Sequence, residues 1–290
     1  VMTHLGGGPF FNSYVLENDG NGMFVVNDGP DYISASLLSS KSEGDDYSNN
    51  STVRIADFDG DGLIDIVWLT IGDDHDVAAR KSGAQRTHIT YNDGNNQYLS
   101  DNTVELPLYR WGYKTYVTDL QVSDFDGDGD ADILASTNTR IKAGWRGNFV
   151  EALENLGDRR FVNVTHERLF AQGYENADEI MWNYWLFPVD LDLDGRLDLV
   201  SYTNDPIVTD FGDFRTPFKV ALQRADGRLV PIDQRALVSK DYAMRRIHPV
   251  DIDNDGDVDL IGSRLLRGAY GGDDAAFKGF IVQALINATK

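Results

Sequence analysis

Apolar and polar residues alternate in short bursts along this chain, and the bursts flank a recurring acidic segment. Ahead of it stand Val53 and Ile55, Leu120 and Val122, Leu186 and Pro188, and Ile247 and Pro249. Behind it stand Ile64 and Ile66, Ala131 and Ile133, Leu197 and Leu199, and Val258 and Leu260. A period of two belongs to a strand, whose successive side chains point to opposite faces. Each acidic segment is therefore predicted to be a loop joining two strands. A second recurring segment reads ENDGNGMF (17–24), YNDGNNQY (91–98), ENLGDRRF (154–161) and QRADGRLV (223–230). Asn and Asp beside Gly between apolar runs mark tight hairpins. Helical periodicity is poor, and only Val77 to Lys81 is expected to turn once.

The two signals recur in phase. DFDGDGLID starts at Asp57, DFDGDGDAD at Asp124, DLDLDGRLD at Asp190 and DIDNDGDVD at Asp251, which are offsets of 67, 66 and 61 residues. Each repeat reads strand 1, Asp loop, strand 2, a longer polar segment, strand 3, hairpin, strand 4. Four antiparallel strands at a period near 60 describe one propeller blade. The expected fold is all-β: a single β-propeller domain over 1–290 with about five blades, at roughly 1–50, 51–115, 116–181, 182–245 and 246–290. The first and last are incomplete, with strands 3 and 4 of the first at Ser13 to Glu17 and Met23 to Asn27, and a final strand 3 near Phe280 to Ile286. Either these ends complete one another or they belong to a larger, seven-bladed ring. A β-sandwich also has short, regularly spaced strands, but a repeat of this length argues against it.

Composition narrows the partners. The 290 residues are 41% hydrophobic, enough for a sizeable core, and carry a formal charge of −21. That charge disfavours nucleic acid and anionic membrane surfaces and favours cations. There is no cysteine, so no disulfide holds the fold. No apolar run is long enough to span a bilayer, so membrane insertion is not expected. The start VMTHLGGGPFF lacks the features of a signal peptide, and a chain beginning at Val is expected to be processed or cut from something longer.

The acidic loops carry the clearest chemistry. Carboxylates at positions 1, 3 and 5, Gly at 6 and a variable residue at 7 offering its carbonyl form a hard-cation pattern. In the first loop these are Asp57, Asp59, Asp61, Gly62 and Leu63, closed by Asp65 at position 9; the second offers Asp124, Asp126, Asp128, Asp130 and Asp132. The third offers Asp190, Asp192, Asp194, Arg196 and Asp198, and the fourth Asp251, Asp253, Asp255, Asp257 and Asp259. An arginine at position 7 is compatible with a backbone ligand. An EF-hand would need a Glu at position 12 and helical flanks. Position 12 here is Trp68, Ala135, Ser201 or Gly262, and the flanks are strands. An irregular cage rich in carboxylates suits Ca2+ better than Mg2+, which keeps its waters. About four calcium ions are expected in a structural role, offsetting eight of the 21 excess negative charges.

The DxDxDGxxD loops, supported by the NDG hairpins, resemble the FG-GAP and VCBS repeats of calcium-binding β-propellers, as in integrin α-subunit heads and many bacterial surface proteins. The FG-GAP tripeptide is represented only by GGGPFF (6–11). The resemblance implies calcium held by the first, third, fifth, seventh and ninth loop residues. It also implies an exposed binding module and a ring usually of seven blades.

Function is expected on the other face. Long dissimilar segments at 70–86, 136–147, 203–217 and 263–276, with the connections 28–51, 107–115, 168–183 and 237–246, should form a face opposite the Asp loops and hairpins, and such loops usually carry binding. Three are rich in aromatics and offer Trp111, Tyr113, Trp182, Tyr184, Trp185, Phe214 and Arg215 as glycan or protein contacts. The rival role for the tryptophans is packing between blades. No nucleophile elbow, zinc-protease motif or phosphate loop occurs, and the five histidines share no spacing, so no catalytic residue is assigned. The reading is an extracellular or cell-surface adhesion module. Two alternatives stay open: a polysaccharide-lyase-like enzyme, for which His75, Arg80 and Lys81 on a long segment would be the start, and a structural segment of a larger surface assembly. Sequons occur at Asn49, Asn50, Asn163 and Asn287, and Asn163 falls on a predicted strand 4, which disfavours it as an accessible acceptor.

Overall fold

The computed structural model describes residues 15–27, 31–34, 49–71, 87–108, 114–141, 144–169, 185–202, 218–232, 244–265 and 280–287. Among these residues it is all-β apart from one short helix, and the strands fall into five antiparallel sheets in which sequence neighbours pair. The first holds β1 (Val15–Asn18) and β2 (Phe24–Asn27). Next come β3 (Asn49–Ala56), β4 (Asp65–Ile71), β5 (His88–Asn92) and β6 (Tyr98–Glu105), then β7 (Lys114–Ser123), β8 (Asp132–Ile141), β9 (Gly144–Asn155) and β10 (Phe161–Asn163). After the helix α1 (Thr165–Arg168) follow β11 (Trp185–Val189), β12 (Asp198–Tyr202), β13 (Phe218–Gln223) and β14 (Leu229–Pro231). The last sheet holds β15 (Met244–Val250), β16 (Asp259–Leu265) and β17 (Phe280–Leu285). The four-stranded blades expected from the repeat are thus observed, with the first and last sheets shorter among the described residues. Every Asp loop joins the first two strands of its blade, and the hairpins join the last two.

The chain divides into two compact units, residues 1–164 and 165–290. Within the first unit, the period of two has a consequence that a solvent-faced sheet would not show. Strand β4 buries both faces: Ile66 and Trp68 pack with Val15 and Ile33, while Val67 and Leu69 pack with Leu120, Ile133 and Leu153 of the next blade. Trp68 also satisfies its indole by donating from Nε1 to Thr90 Oγ1 at 3.0 Å. Stacked blades bury strand 2 between two neighbours, so its alternate residues serve two different cores. Arg54 and Asp119 add an ion pair between the same two blades, at 2.9 Å. The second unit has its own core, with Val200, Tyr202, Val220, Ile247 and Leu260 at its centre.

Three expectations are corrected or left aside. Residues 136–147, read as a long polar loop, are instead mostly strand, because β8 runs on to Ile141 and β9 starts at Gly144. The ladder from Ser136↔Val150 to Ile141↔Gly144, with one register shift between Thr139 and Arg140, satisfies backbone groups that a loop would expose. Ile55 lies on the face of Val53 but is exposed, since the cluster over Val53, Ile66 and Trp68 does not extend to it. The helical turn at 77–81 lies outside the described residues, and the short helix observed is at Thr165–Arg168.

Candidate functional site

The four Asp loops fold by one scheme, written in their own amides. The position-1 carboxylate accepts from the Gly at position 6 in every loop: Gly62 to Asp57 at 2.8 Å, Gly129 to Asp124 at 3.1 Å, Gly195 to Asp190 at 2.9 Å and Gly256 to Asp251 at 3.1 Å. The position-5 carboxylate accepts from the position-7 amide in every loop, with donors Leu63, Asp130, Arg196 and Asp257. Positions 4 and 6 both have positive φ. Position 6 is always Gly, whereas position 4 accepts Leu193 (φ 59) and Asn254 (φ 61) as well as Gly60 and Gly127. These local bonds are those that Asp makes in turns.

Position 9 has a second role that spacing did not show. Asp65, Asp132, Asp198 and Asp259 are at most 1% exposed. In each, Oδ2 accepts from the position-2 amide, of Phe58, Phe125, Leu191 or Ile252, at 2.9–3.0 Å. Oδ1 accepts from the amide of a residue at or just past the end of the blade's third strand, Asn92, Asn155, Gln223 or Asn287, at 2.7–2.9 Å. The position-9 carboxylate therefore ties its own loop to the third strand of the blade. Burial pushes Asp65 and Asp132 up to about 6 and raises Asp198, against the lowering effect of these amides.

Asn155 was read from sequence as part of a hairpin turn, and Asn287 only as a sequon. Asn155 also donates from Nδ2 to Phe58 O of the preceding blade's loop at 2.8 Å and to Ala131 O at 3.2 Å. Asn287 does the same toward Leu191 O and Val258 O. For Asn155 the in-phase recurrence of its hairpin with the Asp loops was the available signal. The amide nitrogens of two sequon residues, Asn163 and Asn287, are accordingly engaged in hydrogen bonds.

Three carboxylate groups of each loop converge. Asp57, Asp59 and Asp61 offer oxygens within 4.8 Å of one another, as do Asp190, Asp192 and Asp194, and Asp251, Asp253 and Asp255. In the second loop the convergent set is Asp124, Asp126 and Asp132, so that Asp128 and Asp130 stand outside it. Elsewhere position 9 lies outside the set. The chemistry of these donors fits a hard divalent cation. Two orphaned groups fit it as well: Asp192 Oδ1 and both carboxylate oxygens of Asp257 are buried without a hydrogen-bond partner. Burial, and then the neighbouring carboxylates of Asp255, Asp259 and Asp253, raise Asp257. A cation would supply the missing counter-charge.

Two arginines already touch the loops. Arg159, in the β9–β10 hairpin, donates from Nε and a terminal nitrogen to Asp59 Oδ2, both at 2.8 Å, and to Asn102 Oδ1 at 2.8 Å. Its guanidinium lies 4.2 Å from the Tyr91 ring centroid. Arg159 holds a left-handed backbone (φ 61), a conformation that favours Gly, so this set of contacts holds a locally strained residue in place. In the third loop, Arg196 pairs with Asp194 and donates from Nε to Gln223 O at 3.2 Å.

Of the proposed ligand-contacting aromatics, Trp185 is partly buried against the core of the second unit, with its ring 6.4 Å from that of Tyr202. Trp111, Tyr113, Trp182, Tyr184, Phe214 and Arg215 lie outside the described residues, as do His75, Arg80 and Lys81. No described helix is long and apolar enough to cross a membrane.

No curated protein matches the chain significantly. Among protein families, the model of the FG-GAP-like repeat matches residues 124–201, from the second Asp loop through β8, β9 and β10 to the third Asp loop and most of β12. Residues 124–201 are thus an FG-GAP-like repeat, a unit of β-propeller-like binding modules, carried here by four-stranded antiparallel blades.

Proposed function

We propose that the protein is a calcium-stabilised binding module working outside the cell, in which the Asp loops are closed by Ca2+ and the long segments at the other ends of the strands recognise a glycan or protein ligand. The observation that carries the reading is the convergence of three carboxylate groups in each of four loops, with buried, unpartnered oxygens in the third and fourth. Positions 1, 3 and 5 of the first, third and fourth loops, and Asp124, Asp126 and Asp132 of the second, would hold the ion together with the carbonyls of Leu63, Asp130, Arg196 and Asp257. Position 9 would fix the loop against the hairpin. The ion would supply positive charge that lets these carboxylates share a small volume, so its binding free energy becomes folding free energy. Extracellular calcium suits modules with affinities of about 0.1–1 mM, and FG-GAP repeats are typically extracellular.

Calorimetry tests the structural half of the reading. Removal of divalent cations is expected to lower the melting temperature clearly, with recovery on adding Ca2+; an unchanged midpoint would refute it. A glycan array probed with Ca2+ and with chelator tests the rest. Reversible, calcium-dependent retention supports a binding module, whereas release of unsaturated sugars would replace it with a lyase.

A further inference from the structure

The four loops share a motif but not a charge environment. The first and third each hold four carboxylates and one guanidinium, Arg159 on Asp59 and Arg196 on Asp194. Three net negative charges remain in each. The second and fourth each hold five carboxylates, Asp124, Asp126, Asp128, Asp130 and Asp132 in the second and Asp251, Asp253, Asp255, Asp257 and Asp259 in the fourth, and those of the fourth pair with no cationic side chain among the described residues; position 7 separates the two, because Asp130 is exposed. Asp257 is 2% exposed, and neither of its oxygens has a hydrogen-bond partner. The same loop position is occupied by Leu63 in the first loop and by an arginine in the third.

We propose that the loops form a graded series, in which the fourth, singled out from the equally acidic second by its buried and unpartnered Asp257, is the high-affinity cation site and the first and third are weak sites whose arginines compete with the ion for one carboxylate. This rests on the calcium reading above. An ion arriving at the fourth loop meets unshielded charge and relieves a buried carboxylate, so the whole attraction goes into binding. An ion arriving at the first loop must share Asp59 Oδ2 with a guanidinium that is also held by Asn102 and Tyr91, or displace it. At the third loop Arg196 sits beside the ion's position on the chain, and its guanidinium already neutralises Asp194. Affinity in oxygen-ligand loops is set by ligand charge and rigidity over several decades, so a difference of two net charges is expected to separate the classes by about tenfold or more.

The consequence is partial loading. As Ca2+ falls, the first and third loops empty while the fourth remains filled, and in the first loop Arg159 takes over as the internal counter-ion of Asp59. Loss of calcium there exchanges one cation for another rather than leaving bare repulsion.

The test is calcium titration calorimetry of the full chain after removal of divalent ions, with circular dichroism confirming that each variant is folded. Asp257→Asn is expected to weaken the tightest step about tenfold and leave the weak steps in place. Arg159→Gln and, independently, Arg196→Gln are each expected to strengthen one weak step by a similar factor. A tightest step untouched by Asp257→Asn, or weak steps untouched by both arginine variants, would overturn the grading while leaving calcium binding intact. No binding heat in the wild-type protein or any variant would overturn both the grading and the calcium reading.

Discussion

Lowering the pH from 7.5 to 5 in the absence of divalent cations should stabilise this protein, the reverse of ordinary acid destabilisation. The cause is the position-9 aspartates. Asp65 and Asp132 are buried and pushed up to about 6 from an ordinary value of 3.8. Between about 6 and 3.8 the folded chain therefore binds more protons at these groups than the unfolded chain does, so stability rises as pH falls through that window. From pH 7.5 to 5 each group covers about one pH unit below its folded value, worth about 1.4 kcal/mol, or about 3 kcal/mol for the pair. Both lie in the first unit, of 164 residues by its bounds, for which that corresponds to a rise of roughly 5–10 °C in the midpoint. Asp19 and Asp93, held low by their own hairpin amides, act in the opposite sense but only near and below their ordinary value, outside this range. Scanning calorimetry at constant ionic strength, in steps from pH 7.5 to 5, reads the effect. Because acid also relieves the general repulsion of a chain at −21, the control is the Asp65→Asn, Asp132→Asn variant, in which the slope with pH rather than the absolute midpoint should flatten. In saturating Ca2+ the increment from the ion should shrink over the same range, so the two curves converge. A midpoint that falls steadily with acid in the cation-free protein, or an unchanged slope in the double variant, would refute the reasoning.

Two further outcomes follow from the loop scheme. Gly62→Ala should cost about 1–2 kcal/mol from backbone strain alone, since φ is +85° and nothing lies within 4 Å of the added methyl. Gly60→Asn should cost well under 1 kcal/mol, because Asn254 already holds that position in the fourth loop; equal losses in denaturant melts would contradict this. Asn155→Ala should cost about 2–3 kcal/mol, as it leaves Phe58 O and Ala131 O without their shared donor, and native-state hydrogen exchange should show faster opening of the first two Asp loops. Unchanged exchange in both loops would show that this bridge does not couple them.

The sequence by itself determined the blade. Alternation around DxDxDGxxD specifies strand, loop, strand, because a period of two and an obligatory Gly at position 6 are local properties that no neighbour needs to supply. The convergence of carboxylates was equally legible in the first, third and fourth loops, where the spacing brings positions 1, 3 and 5 together, but not in the second, where Asp132 stands in place of Asp128. Tertiary structure decided the rest. That Val67 and Trp68 enter different cores depends on blades stacking against both faces of β4. That position 9 ties the loop to strand 3 depends on an amide 23 to 28 residues further along the chain. Arg159 neutralises an aspartate 100 residues away, and nothing in the hairpin ENLGDRRF indicates this. Asp130 and Asp257 are the same residue at the same loop position, yet the first is exposed and the second is buried without a partner. Ligand types and spacing are written locally; the charge each loop feels is summed over everything folded around it, and only the assembled blades set that sum.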